Sequence, residues 1–294
     1  MLKNANHKCN SPIIHLAKTQ TFRYTLSMYL LIDVGGTKTL LAIASPKGKI
    51  LHSIKFPTIQ DQNNFAKNLI QQIRSNFAIG SIEAIGVALP GVVKDNKVQW
   101  LGNLPWKNFD LAKILKDEFN IPAYIENDAN LATLAEAKNK TGRTLYLTFS
   151  TGIGGGVVED NSLLPKFQDF EPGHAIYEYE GENSEWEDLA SAKAFVDQYG
   201  IKVQDIKDKK CWSKEVPERI ALGLASVITE TKPDRIVFGG PLGFELKRYR
   251  IPLRRILKNK LNTKTLPRFT VAKYGNFSVI EGCFLYAKAN SSNK

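Results

Sequence analysis

The chain has 294 residues, 43% of them hydrophobic, and a formal net charge of +11. That length suits one large globular unit or two lobes of ordinary size, and no stretch approaches the roughly 20 apolar residues of a membrane span. Cys9, Cys211 and Cys283 are odd in number, far apart and without a CxxC pair, which excludes a disulfide framework and a thiolate metal site and points to a reducing compartment, the cytoplasm.

The positive charge is unevenly placed. Residues 1–32 hold Lys3, Lys8, Lys18 and Arg23 and no acid, and a second concentration over 247–273 includes Arg254, Arg255, Lys258 and Lys260. A solvated helix face or a basic rim near a polyanionic donor accounts for this charge. No nucleic-acid motif accompanies it, so nucleic acid is not an expected partner.

Residues 1–27 are polar, basic and without periodicity, and read as a dispensable extension: a disordered tail, a start-site artefact or a transit peptide. From Met28 the pattern alternates between strands and helices, which is α/β. Strands are expected at 29–34, 39–44 and 50–56. The spacing of Phe65, Leu69, Ile70 and Ile73 predicts a helix over 63–77. Next come a strand at 82–89, a helix at 111–119, a short strand at 123–126 and a helix at 128–138. A second series opens with strands at 144–149 and 155–159, then helices near 186–199 and 215–231. A strand at 235–238, a helix near 243–260, a strand at 269–272 and a helix at 277–289 end the chain. Each series starts strand, glycine turn, strand. The expected organisation is an N-terminal lobe at 28–138 and a C-terminal lobe at 139–294, with the last helix packing back on the first lobe.

The two turns are Asp33-Val34-Gly35-Gly36-Thr37 and Ser150-Thr151-Gly152-Ile153-Gly154-Gly155-Gly156. Small residues in succession let backbone N–H groups converge on anionic oxygens. Thr37 and Thr151 add hydroxyls and Lys38 a cation. The Walker A spacing is absent, and the second turn leads to a strand rather than to the helix of a dinucleotide fingerprint. One such turn is an ordinary hairpin; two matched turns suit a phosphate chain gripped from both sides.

Glu126-Asn127-Asp128 joins a strand end to a helix start. Asp128 stands at or near the N-cap, where the helix dipole favours an ionised carboxylate. Capping and catalysis are both compatible with that position. Glu171-Pro172-Gly173-His174 puts a carboxylate and an imidazole on one tight turn, suited to neighbouring hydroxyls. Glu187 opens a further helix, where dipole complementation is the plainer role.

In order and spacing these pieces resemble one family. The segments LIDVGGTK, GVALPGVV, NLPW, ENDAN, STGIGGG, EPGH, WEDLAS, IVFGG and IEGCFLYA are similar to those of the ROK-type sugar kinases, the group of bacterial glucokinases, fructokinases, N-acetylmannosamine kinases and sugar-responsive repressors. The likeness runs from residue 28 to about 289. It implies a two-lobed actin/hexokinase-like fold with an inter-lobe cleft, a hexose substrate, and ATP with Mg²⁺ as donor. It gives Asp33 a water-mediated hold on Mg²⁺, and makes Gly35, Gly36, Thr37 and Lys38 the first phosphate loop. Thr151, Gly152, Gly154 and Gly155 become the second loop, and Gly239 and Gly240 the turn against adenosine. Asn127, Asp128, Glu171, His174 and Glu187 become sugar ligands, with Asp128 the general base.

The sequence departs from the family in three places. Aligned through Glu187, the three cysteines of the family's zinc motif fall on Glu178, Glu180 and Glu185, so no structural zinc is expected. Related polyphosphate-using glucokinases also lack those cysteines, which keeps polyphosphate beside ATP as donor. Ser150 stands where glycine is usual, and Pro241 follows Gly240. The reading is a hexose kinase, glucose first. The alternatives are a kinase for N-acyl amino sugars or other hexoses, and a sugar-binding regulatory protein. A repressor would need a winged helix that 27 residues do not supply. A homodimer stays open.

Overall fold

The structure, a computed structural model, describes residues 27–94, 96–101 and 104–292. The reading of residues 1–27 as an extension falls, apart from Ser27, outside them.

The chain builds two five-stranded sheets. The first holds β1 (Met28–Val34), β2 (Lys38–Ala44), β3 (Ile50–Pro57), β4 (Ile82–Leu89) and, after the small hairpin β5 (Val92–Lys94) and β6 (Lys97–Trp100), β7 (Ala123–Asn127), in the order β3-β2-β1-β4-β7. Helix α1 (Gln62–Asn76) precedes β4 and α2 (Leu111–Phe119) precedes β7. Each opens on an aspartate whose carboxylate takes a backbone N–H three residues on, Asp61 from Asn64 and Asp110 from Lys113. After α3 (Asp128–Ala137) come β8 (Arg143–Phe149), β9 (Ile153–Glu159) and β10 (Ser162–Leu163), then a separate hairpin, β11 (Ile176–Tyr179) and β12 (Glu182–Glu185). Helices α4 (Trp186–Ala190), α5 (Ala192–Tyr199) and α6 (Val216–Thr231) lead to β13 (Arg235–Gly239). Finally α7 (Gly240–Phe244), α8 (Leu246–Lys260), β14 (Arg268–Val271) and α9 (Ser278–Ser291) complete the chain. The second sheet runs β10-β9-β8-β13-β14, so both halves use one topology: an antiparallel meander with two parallel strands added beside its first strand.

Strand β1 is buried on both faces, as a central strand must be. Its residues alternate in destination. Leu30, Ile32 and Val34 enter the core under α1 and α2, while Tyr29 and Leu31 join a second core with Leu131 and Leu134 of α3 and Ile280, Cys283 and Phe284 of α9. Helices α3 and α9 therefore fill the space between the sheets. Tyr29 and Phe284 meet edge to face with ring centroids 5.2 Å apart. A side chain at Gly86 or Gly282 would overlap the backbone of Cys283 or Leu131 respectively, so glycine is what allows this close approach. A third core lies behind the second sheet, around Phe149, Trp186, Phe195 and Phe238.

Three expected helices differ in the structure. The 186–199 helix is broken at Ser191, which leaves α4 and caps α5 through a bond from Ala194 N. The one near 243–260 is two helices that meet at Glu245. The 215–231 helix is preceded by a wide turn at Cys211–Glu215. The hairpins β5–β6 and β11–β12 were not expected; their short strands lack a repeating apolar face.

Candidate functional site

The first glycine turn joins β1 to β2. Gly35 N–H closes it on Lys38 O at 3.0 Å. Thr58 Oγ1 donates to Gly35 O at 2.7 Å and Gln60 Nε2 to Gly36 O at 3.0 Å. These side chains, just past β3, tie down two carbonyl oxygens of the turn. Neither has a signal in the sequence, because their role comes from the antiparallel pairing of Lys38 with Pro57.

The second turn, between β8 and β9, is closed by Ser150 N–H on Gly152 O at 2.9 Å. Lys193 N–H of α5 binds Ser150 O at 3.0 Å. Of the glycines assigned to this loop, Gly152 is in the turn, whereas Gly154 and Gly155 lie in β9. A side chain at Gly155 would meet Phe170, Leu147 and Pro172 at 2.9–3.1 Å. Gly239 ends β13, and Gly240 opens α7 with φ +74°, its α-carbon set against the backbone of Phe149. The third turn is thereby held beside the second.

Asn127, not Asp128, is the N-cap of α3; its Oδ1 takes Asn130 N–H at 3.0 Å. Its Nδ2 donates to Gly91 O at 2.7 Å and reaches Glu171 Oε1 at 3.5 Å. Asp128 is the first helical residue, and its carboxylate accepts the N–H of Ala129 at 2.7 Å. The helix dipole favours an ionised Asp128. Burial outweighs it and pushes this carboxyl up to about 6, although backbone N–H groups pull the other way. Asp33, at the end of β1, is pushed up to about 7 by burial and then by the charge of Asp128, with Lys55 opposing. Glu171 also reaches about 7, through burial first, then Asp128, with His174 opposing and Glu187 adding to the rise. Asp33 from the first turn and Glu171 from the second half thus share Asp128 as a charged neighbour.

Glu126 carries no role in the sequence reading. It is buried, accepts Asn127 N–H at 2.8 Å and Asn130 Nδ2 at 3.1 Å, and so braces the strand-to-helix joint that holds Asp128. Glu187, in the first turn of α4, accepts Ile153 N–H at 3.1 Å. A side chain at Gly152 would strike its carboxylate, so Glu187 touches the second turn as well as the Glu171 group. His174, exposed, bonds through Nδ1 to Glu185 Oε2 at 2.9 Å. Glu185 was read only as a lost cysteine position.

The residues present fit a divalent ion. Asp33 carries a carboxylate raised by burial and by a like charge, and a cation beside it would relieve both costs. Among the described residues no helix is long and apolar enough to cross a membrane.

Comparison with protein families matches the ROK family over residues 29–290. The chain belongs to the ROK family. Among ROK and related proteins, it is 30% identical over 234 residues to a putative fructokinase of Bacillus subtilis, covering 71% of this chain and 75% of that one. It is 34% identical over 140 residues to the xylose repressor of the same species, covering 43% and 35%. Among solved structures, a ROK family glucokinase from Streptomyces griseus, in complex with glucose and AMPPNP, superposes with TM-score 0.70 at 21% identity, covering 90% of this chain and 99% of that one. The inorganic polyphosphate/ATP-glucomannokinase of Arthrobacter sp. strain KM superposes with TM-score 0.66 at 25% identity, covering 88% and 97%. The fold is that of the actin/hexokinase-like ROK proteins.

Proposed function

We propose that this ROK protein is a sugar kinase that moves a phosphoryl group from ATP, or from polyphosphate, to a hexose hydroxyl, with glucose the first candidate. The observation that carries this reading is the common focus on Asp128: a phosphate-side carboxylate, Asp33, and a sugar-side carboxylate, Glu171, both feel its charge. Support also comes from the Bacillus putative fructokinase and from neighbours bound to glucose and AMPPNP or named for polyphosphate and ATP.

In this mechanism Asn127, Glu171, His174 and Glu187 hold the sugar hydroxyls and Asp128 faces the one that reacts. Asp128 takes the hydroxyl proton as the oxygen forms its bond to the donor's terminal phosphorus and the bridging P–O bond breaks. Gly35, Gly36, Thr37 and Lys38 on one side and Thr151, Gly152, Gly154 and Gly155 on the other align the phosphates, and Gly239 and Gly240 back the adenosine. Asp33 would hold Mg²⁺ through water, and the ion would supply neutralisation of the phosphate charge. We expect no structural zinc, because carboxylates replace the aligned cysteines; one tightly held zinc per chain in elemental analysis would contradict this.

The sugar-binding regulator reading has the xylose repressor match in its favour. The intact phosphate-side group, Asp33 with its tied glycine turn, favours the kinase, since a regulator has no use for it. A panel of hexoses and N-acyl amino sugars, each assayed with ATP and with polyphosphate, separates these readings. Phosphorylation of a hexose is expected; sugar binding without phosphorylation under both donors would overturn the kinase.

A further inference from the structure

The hairpin β11–β12 lies directly between His174 and Glu187. Its two-residue turn is Glu180-Gly181, both with positive φ (55° and 88°), which suits a tight hairpin. The register pairs Tyr179 with Glu182 and Ile176 with Glu185, and Trp186 N–H extends the pairing to Ala175 O at 2.8 Å. A ladder in this register returns Glu185 to the residue that follows His174 by two. Glu185 then occupies the N-cap position of α4, yet its side chain makes no capping bond. Its carboxylate goes instead to His174 Nδ1, at 2.9 Å. Glu187, two residues further on, turns to Ile153 N–H. A ring nitrogen of His174 and one oxygen each of Glu185 and Glu187 lie within 4.8 Å of one another.

We infer that Glu185 is a positioning residue for sugar binding: its carboxylate holds the His174 ring in the group formed with Glu171 and Glu187. The inference rests on the sugar reading of that group. A histidine whose Nδ1 hydrogen-bonds a carboxylate has its ring orientation and tautomer set by that bond. His174 is raised above its ordinary value, first by the bond to Glu185; burial opposes, and the charges of Glu187, Glu185 and Glu171 add to the rise. Because the side chains are 43% and 40% exposed, the pair adds little to folding stability, so the work it does is orientational.

Two variants test this in the full chain, Glu185→Gln, which keeps an acceptor but loses the charge, and Glu185→Ala, which loses both. Hexose affinity by calorimetry needs no turnover. Affinity should fall about tenfold in Glu185→Ala and less in Glu185→Gln, while donor KM and melting temperature stay near wild type. In the same variants the His174 ring, followed by ¹⁵N NMR and assigned with His174→Gln, should titrate lower, toward the usual value of about 6.5. Unchanged affinity in Glu185→Ala overturns the inference, whether or not the His174 signal moves. An equal fall in sugar and donor affinity with a lower melting temperature also overturns it, since that marks a structural role. If wild type binds hexose but phosphorylates none, the kinase reading fails and the affinity series still decides this one; if it binds no hexose, both fail.

Discussion

The two halves share a sheet order but brace their glycine turns differently. The turn at 35–38 is held from within its own meander, by Thr58 and Gln60 just beyond β3. The turn at 150–153 is held from outside, by Glu187 of α4 and the Lys193 amide of α5. In the second half β10 has only two residues where β3 has eight, and the chain after β10 departs into the segment that bears Glu171, His174, Glu185 and Glu187. The duplicated topology supplies a glycine turn twice. The segment added to one copy carries Glu171, His174 and Glu187, and it takes over the bracing of that copy's turn.

The comparison can be broken hardest where the halves join. Gly282→Val would drive a side chain of α9 into the Leu131 backbone of α3. Overpacking of this kind costs about 3 kcal/mol or more, and the variant should be insoluble or melt far below wild type in a thermal scan. Unaltered melting would mean that the α3–α9 packing does not hold the halves together.

The different bracing of the second turn predicts different kinetics for two carboxylates. Glu171→Gln should raise KM for sugar by about tenfold with donor KM unchanged. Glu187→Gln should raise sugar KM similarly and also move donor KM a few-fold, because Glu187 holds Ile153 N–H beside the second turn. Matching profiles for the two variants in steady-state kinetics would show that α4 does not brace the turn.

A smaller effect concerns the carboxylates gathered from both halves. Asp128 is raised to about 6, and Asp33 and Glu171 to about 7, above the ordinary range of about 4. Between those limits the folded chain binds more protons than the unfolded one, so stability falls as pH rises through the window. Asp128→Asn should therefore melt about 2–5 °C higher than wild type at pH 8, with the gap closing toward pH 4. A variant that melts lower at pH 8 would show that the carboxylate is relieved by its backbone donors rather than strained by burial. The same ionisation should give kcat/KM an acid limb falling below about pH 6.

Much of this was legible in the sequence because it is local. Turns rich in glycine, a strand that gives way to a helix at Asn127-Asp128, and apolar periodicity along α1 each declare themselves within a few residues. The family likeness also singles out Asp33, Asp128, Glu171 and Glu187, of which Asp33 and Glu171 are charged neighbours of Asp128. What was not legible depends on register and burial. The helix dipole at Asp128 is legible in the sequence, but the burial that raises its carboxyl to about 6 is not. Thr58 and Gln60 matter because of strand pairing, and Glu185 because a hairpin of short strands brings it back to His174. Ser191 breaks a helix that its flanking periodicity would have continued, since a serine that caps α5 ends α4 at the same residue.

The role of Asp128 is tested most directly by kcat of Asp128→Asn, measured beside its hexose affinity by calorimetry. Asparagine keeps the size and caps about as well as aspartate but lacks the basic oxygen. As the general base, Asp128 requires kcat to fall about 10²–10⁴-fold while hexose affinity falls far less. A kcat within about threefold of wild type, well short of the general-base range, with affinity retained, would contradict that role and leave Asp128 as part of a helix start.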